Sequence, residues 1–392
     1  MRRSAWGTRS AWGTAIAALA VIALVGCAPS TASPQASASR TVTPSPTPTP
    51  TVDPVRAAVA RMSLAQQASS VIMGTVPGTD PAALRAFMTS GPEGASLGGF
   101  ILMGSNVAAD AAQEKAVTDA LLIDPVLPPL IAIDQEGGYV SRLPWDTLPG
   151  GRRLQSADPA QVQQVFAQRA ALVAATGANL NFGIVADVPA NPKSFIAPRA
   201  LGTDPASSSA RVVAAVEGEK EVVLSTLKHF PGHGATPGDS HVSIPSTPMG
   251  LDEWRAGPAA PFAAGIGAGA EVLMFGHLAY TAVDAAPASL SPRWHEIARN
   301  DLGFTGLMIT DDIGMLTSSG VAAYRDPVAD AVAALAAGND MVLMIAGSDA
   351  RTAGRMAQAI VTAVQDGTLP AERLQDAAEH VMAQRMALRP AQ

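Results

Sequence analysis

The run Lys228-His229-Phe230-Pro231-Gly232-His233-Gly234, followed by Asp239-Ser240-His241, puts three of the chain's six histidines beside acidic and basic groups. An aspartate two residues before a histidine can hold the imidazole in one tautomer and raise its basicity. The pair is then an acid/base group that titrates near neutrality. By residue type alone, His229, His233, Asp239 and His241 could instead ligate a metal, and that alternative stays open. Pro231 and Gly232 weaken it, because they make the segment a loop leaving a strand. The i,i+4 spacing of His229 and His233 therefore does not put both on one helix face. Further candidates are Asp134 in Ile133-Asp134-Gln135-Glu136-Gly137-Gly138, His277 in Met274-Phe275-Gly276-His277, and the pair Asp311-Asp312.

These groups are far apart in sequence, and the elements around them say how they meet. Short apolar runs at 98–104, 129–134, 179–187, 225–230, 271–277, 306–312 and 340–346, with another at 71–73, are each bounded by turn residues. They alternate with Ala-rich helical stretches at 108–122, 159–177, 206–221, 252–268 and 327–337, and helices near 58–70 and 370–388 flank the set. Near-continuous apolar strands between helices are the pattern of a parallel sheet buried on both faces. Eight such strands predict an α/β fold, a single (β/α)8 TIM-type barrel. No GxGxxG follows any strand, which disfavours an open doubly wound sheet. Asp134, His229, His277 and Asp311 each lie at the end of a different strand. A parallel barrel brings all those ends to one face, where active sites are built.

Composition narrows the rest. A chain of 392 residues with 48% hydrophobic and 15% charged residues is not disordered. Its net charge of −7 leaves no basic surplus to neutralise a phosphate backbone, so nucleic acid is not an expected partner. Arg2, Arg3 and Arg9 precede the apolar run 15–25, which as a helix rises only about 16 Å, short of a bilayer core of about 30 Å. This is a secretory leader, not a membrane span. It ends Leu24-Val25-Gly26-Cys27, which resembles the lipobox of bacterial lipoproteins, and Cys27 is the chain's one cysteine. The resemblance implies acylation of Cys27, attachment to the membrane, and exposure on the outer face of the cell membrane. The predicted organisation is a lipoprotein signal peptide at 1–26, a Pro/Ser/Thr-rich spacer at 27–54 and a catalytic barrel at 55–392.

The sequence KHFPGHG with its downstream DSH and Pro245 resembles the signature of glycoside hydrolase family 3 β-N-acetylglucosaminidases of the NagZ type. Arg61-Met62-Ser63-Leu64 is similar to the family's opening helix and IDQEGG to its sugar-binding strand end. PRALG at 198–202 and TDDIGM at 310–315 are similar to its basic contact and nucleophile segments. The resemblance implies Asp311 as nucleophile and Asp239 with His241 as the acid/base dyad. It further implies that Asp134, Arg142, Arg199, Lys228 and His229 hold the terminal N-acetylglucosamine. Asp312 is expected to be structural, and His277 has no assigned role. The chain departs from the pattern at Tyr139, where an arginine commonly follows EGG.

The implied reaction is removal of terminal β-linked N-acetylglucosamine (GlcNAc) from peptidoglycan-derived muropeptide fragments. A carboxylate attacks the anomeric carbon while an acid protonates the leaving oxygen, and double displacement retains the configuration. No metal or organic cofactor is expected, and the chain is expected to be a monomer. Two other readings are a β-N-acetylglucosaminide phosphorylase, since a histidine acid repels phosphate less than a carboxylate does, and a non-catalytic sugar-binding lipoprotein.

Overall fold

The computed structural model describes residues 53–388. The signal peptide, Cys27 and the spacer up to residue 52 lie outside the described residues.

Among the described residues there are ten strands: β1 (Ile72–Gly74), β2 (Gly99–Leu102), β3 (Leu130–Ile133), β4 (Leu180–Val185), β5 (Leu224–Phe230), β6 (Ser246–Thr247), β7 (Val272–Phe275), β8 (Ala279–Tyr280), β9 (Leu307–Thr310) and β10 (Val342–Leu343). Eight of them form one parallel sheet in the order β10-β1-β2-β3-β4-β5-β7-β9. Its two edges meet through a parallel bridge between Ile309 and Met341 and through Thr310 Oγ1, which accepts the Leu343 N–H at 3.0 Å. The result is a nearly closed barrel of the predicted TIM type. Every residue of β2, β3, β4 and β5 is buried, which explains apolar runs without polar alternation. β6 and β8 pair separately as a short parallel ladder.

Helix starts are written locally. Helices Pro54–Val59, Pro81–Met88, Pro159–Ala175, Pro205–Glu219 and Pro327–Ala337 all begin with an Asp N-cap followed by proline. The proline ring presets the helical φ, and the Asp carboxylate can accept an otherwise unpaired backbone N–H. Two predicted helices are each broken in two. The stretch 252–268 divides at Gly257-Pro258 into Leu251–Ala256 and Ala259–Ala268. The opening stretch divides into Pro54–Val59 and Leu64–Ser70, the second capped by Ser63 in a capping box with Gln66. In the ring of eight, β3 and β9 are four strands apart, so their ends face each other across the barrel mouth.

Candidate active site

Asp134 is the first residue after β3, and Lys228 lies near the end of β5. Lys228 Nζ sits 2.9 Å from Asp134 Oδ1 and 2.7 Å from Glu136 Oε1, and its side chain is buried. Arg142 Nη2 reaches the other oxygen of Asp134 at 3.1 Å. Arg199, from the loop after β4, grips Glu136 with two bonds of 3.0 and 2.7 Å. Burial alone would raise both carboxyls, but Lys228 with Arg142 or Arg199 holds Asp134 and Glu136 down at about 2. Two anions and three cations therefore interlock on one wall. The Glu136 turn is tight: Gly137 has φ +80°, and a Cβ there would meet Arg169 Nη2 at 2.2 Å.

His229 is held by Asp187, at the end of β4. Its Nδ1 lies 2.8 Å from Asp187 Oδ2 and its Nε2 3.3 Å from Arg199 Nη2. A guanidinium only donates, so Nε2 is the acceptor and Nδ1 carries the proton. Burial, then Arg199, push the imidazole well below its ordinary range, which keeps that neutral tautomer. Asp187 also accepts the backbone N–H groups of His229, His233 and Gly234. Burial pushes its carboxyl up to about 6, against the pull of His233 and Arg199. Downstream, Trp254 Nε1 donates to the Pro231 carbonyl at 2.8 Å, and Tyr280 Oη donates to that of Gly232 at 2.7 Å. Gly232 has φ +126°, and a Cβ there would sit 2.9 Å from Pro258. The PGHG corner is thus clamped from two sides, and only glycine fits it.

Asp311 follows β9 directly. Its backbone N–H bonds the Phe275 carbonyl, and Oδ1 accepts the Asp312 N–H at 2.8 Å. Burial works against its charge, but His229, His277 and Lys228 lower the carboxyl below its ordinary value. Asp312 points elsewhere. Its Oδ1 accepts from Gly314 and Ile345, and Oδ2 accepts from Ala346, so its carboxylate caps the helix Ile313–Ser318 and ties it to the segment after β10. His277, two residues beyond β7, bonds the Asp312 carbonyl through Nε2 at 2.8 Å and Ser289 Oγ through Nδ1 at 2.7 Å. A carbonyl only accepts, so His277 carries its proton on Nε2 and braces the peptide behind Asp311.

The Asp239–His241 dyad projects from the loop after β5. His241 Nδ1 lies 2.6 Å from Asp239 Oδ1, which also accepts the His241 backbone N–H at 3.0 Å. Nδ1 donates to this carboxylate, leaving Nε2 for a substrate. Partial burial opposes the Asp239 charge, but the two bonds from His241 hold the carboxyl below its ordinary value.

A cavity of about 250 Å³ opens at the strand ends. Asp134, Arg142, Arg199, Lys228, His229, His241 and Asp311 all line it, and Asp239 reaches it through His241. Met103, Met274, Met315, Leu343 and Ile345 supply its apolar side. The structure thus brings Asp134, Arg142, Arg199, Lys228, His229, His233, His241, Asp311 and Asp312 to one pocket, with Asp239 behind His241; His277 does not line it and lies behind Asp312. Two partners had no role in the sequence reading, Asp187 and Glu136. Asp187 ends the run 179–187 as Asp134 ends its own, so the same strand-end argument would have found it. Among the described residues, the possible ligand atoms of His229, His233, Asp239 and His241 do not converge within 4.8 Å; the group that does is Asp340, Asp376 and His380, away from the pocket.

The model of the glycosyl hydrolase family 3 N-terminal domain matches residues 93–384. A "Beta-hexosaminidase" of Stenotrophomonas maltophilia (strain R551-3) is 40% identical over 221 residues, 53% of this chain and 66% of that protein. One of Xylella fastidiosa (strain M23) is 36% identical over 260 residues, 64% of this chain and 76% of that protein. The chain thus spans a little under two thirds of the first relative's length and about three quarters of the second's. Among solved structures, a glycoside hydrolase family 3 β-N-acetylglucosaminidase from Paenibacillus sp. str. FPU-7 superposes with TM-score 0.76 at 28% identity, covering 84% of this chain and 64% of that one. A β-N-acetylhexosaminidase from Beutenbergia cavernae DSM 12333 superposes with TM-score 0.72 at 30% identity, covering 83% and 99%. The matched family model extends over most of the barrel and takes in every pocket residue named above: the chain belongs to glycosyl hydrolase family 3.

Proposed function

We propose that the chain is a retaining exo-β-N-acetylglucosaminidase. The observation that carries this reading is the pairing, in one cavity, of the Asp311 carboxyl group with a carboxylate-oriented imidazole at His241. In the first step Asp311 attacks the anomeric carbon of the bound sugar. The glycosidic C–O bond breaks as protonated His241 gives its Nε2 proton to the leaving oxygen, and a glycosyl-Asp311 ester forms. In the second step neutral His241 takes a proton from water, the water oxygen attacks the same carbon, and Asp311 leaves. Two inversions retain the β configuration.

Binding falls to the charged wall. Asp134 accepts sugar hydroxyl protons, while Arg142, Arg199 and Lys228 donate to hydroxyl and acetamido oxygens. Their mutual pairing fixes their positions before substrate arrives. The names borne by the relatives support a GlcNAc-type terminal sugar. Muropeptide fragments as substrates, and lipid attachment at Cys27 on the outer face of the cell membrane, follow from the leader sequence: an enzyme held there meets wall glycan.

The test is hydrolysis of a chromogenic β-N-acetylglucosaminide against the matching β-glucoside, with and without phosphate, and the anomer of the released sugar read by NMR. A strong preference for the N-acetyl sugar with β-GlcNAc released first is the expected result. Equal rates on both sugars, α product, or turnover only with phosphate would refute the reading.

A further inference from the structure

We propose that Phe195 is a positioning residue that aims His241 at the leaving oxygen. This rests on the reading of His241 as the acid/base group.

The dyad has little to hold it. The His241 side chain is 61% exposed and that of Asp239 45% exposed. Among the described residues, their hydrogen bonds stay within one loop: His241 N and Nδ1 go to Asp239, and Ser243 Oγ goes to the Asp239 carbonyl. These bonds orient the imidazole relative to Asp239, but not relative to the cavity. A general acid must bring its donor within about 2.6–3.2 Å of the oxygen it protonates, so something outside the loop has to set the ring's position.

Phe195 is so placed. Its ring meets the His241 ring at 5.9 Å between centroids and 75° between planes, an edge-to-face contact. It comes from a different loop, after β4, and is anchored on its own account. It packs against the buried side chains of Val185, Ile196 and Ala200. It makes a second edge-to-face contact with buried His233 at 5.0 Å and 90°, and the Arg199 guanidinium lies 5.8 Å from its centroid. His233 and Arg199 belong to the fixed wall, through Asp187 and Glu136 respectively. Phe195 therefore refers the exposed acid to the same frame that holds the sugar.

Such a role has a distinctive signature. Proton donation matters most when the leaving group is a poor one, so loss of aim must cost more on a sugar alkoxide than on a nitrophenolate. A merely structural residue would affect both alike, and a stacking platform for the leaving sugar, open to Phe195 as a residue of the cavity lining, would show in KM.

The experiment compares kcat/KM of the parent chain, Phe195→Leu and Phe195→Tyr on a dinitrophenyl β-N-acetylglucosaminide and on a GlcNAc-terminated disaccharide. The loss in Phe195→Leu is expected to be about tenfold greater on the disaccharide, the upper range for one aromatic pair. Phe195→Tyr, which restores the ring, is expected to recover most of it. Equal losses on the two substrates, a change confined to KM, or no recovery in Phe195→Tyr would overturn the proposal. If the parent hydrolyses neither substrate, the functional reading fails on its own. Phe195 is then judged by crystal structures of the parent and Phe195→Leu: the His241 ring turns away from the cavity or loses a single defined position in Phe195→Leu if the contact orients the imidazole, and keeps its place if it does not.

Discussion

Asp312 donates its backbone N–H to Oδ1 of Asp311 at 2.8 Å, while its own carboxylate turns away to accept three other backbone N–H groups. Two adjacent aspartates thus have separate tasks. One carboxylate is presented to the cavity on a fixed peptide, and the other fixes that peptide. His277 completes the brace by bonding the Asp312 carbonyl at 2.8 Å.

The first prediction separates the pair. Asp311→Ala should abolish turnover and leave the melting temperature nearly unchanged, because Asp311 makes few structural bonds. Asp312→Ala should lower stability, since each buried N–H left without its acceptor costs about 1–3 kcal/mol. Steady-state kinetics and thermal denaturation of both variants check this. Near-normal activity in Asp311→Ala would end its assignment as nucleophile.

The second concerns attachment. If Cys27 is the acylated residue, Cys27→Ala should move the protein from the membrane fraction to the soluble fraction and leave its leader uncleaved. Radiolabelled fatty acid should mark the parent chain alone. Normal processing and membrane retention of Cys27→Ala would contradict the lipoprotein reading.

How much of this was legible in the sequence follows from how local each signal is. Asp-Pro helix starts, buried apolar strands and the KHFPGHG corner are written within a few residues, and the barrel follows from their order. The helix Ala350–Gln365 was legible too, since its buried Ala353, Met356, Ala357, Ile360 and Val361 recur at helical spacing, yet it lies outside the stretches read as helical. Asp187 and Glu136 are different. The Asp187 bond to His229 depends on the β4–β5 register that sets Val185 beside Lys228. Glu136 acquires its role only when Arg199 arrives from 63 residues away. The Phe195 contact with His241 joins two irregular loops, and neither periodicity nor turn chemistry announces it.

The third prediction is a pH dependence of stability. Asp134 and Glu136 are lowered to about 2 from 3.8 and 4.5, so the unfolded chain binds more protons than the folded one in that range. Stability should fall as pH drops from about 4.5 toward 2. Glu219, bonded to Asn181 and otherwise encased, works in the opposite sense. Burial pushes it up to about 8 from 4.5, so the folded state holds the extra proton and stability is lost as pH rises toward 8. Buried His229, His233, His277 and His295 are shifted down from 6.5, so above that value they are neutral in both states. Between about pH 6.5 and 8 Glu219 should dominate, with a slope of at most about 1.4 kcal/mol per pH unit. Urea unfolding across this range should show declining stability in the parent and a flatter profile in Glu219→Gln. Parallel profiles would show that Glu219 does not hold its proton.

The fourth prediction treats Asp239 and His241 as a unit. His241 Nε2 supplies the proton, and Asp239, 2.6 Å from Nδ1, orients the ring and stabilises its charged form. General acid–base catalysis contributes about 10²–10⁴-fold, and most of that where the departing oxygen is strongly basic. His241→Ala should therefore cripple cleavage of a GlcNAc-terminated disaccharide and have a far smaller effect on glycosylation by a nitrophenyl substrate. Asp239→Ala should show the same pattern more mildly, because an imidazole remains. Once His241 is gone, Asp239 has no ring to orient, so the double variant should lose little beyond the histidine variant alone. Additive losses in that cycle, or equal damage on both substrates with a lowered melting temperature, would make the pair a loop-stabilising hydrogen bond instead. The exposed position of both side chains argues against that outcome, since a surface ion pair of this kind contributes about 0–1 kcal/mol to stability.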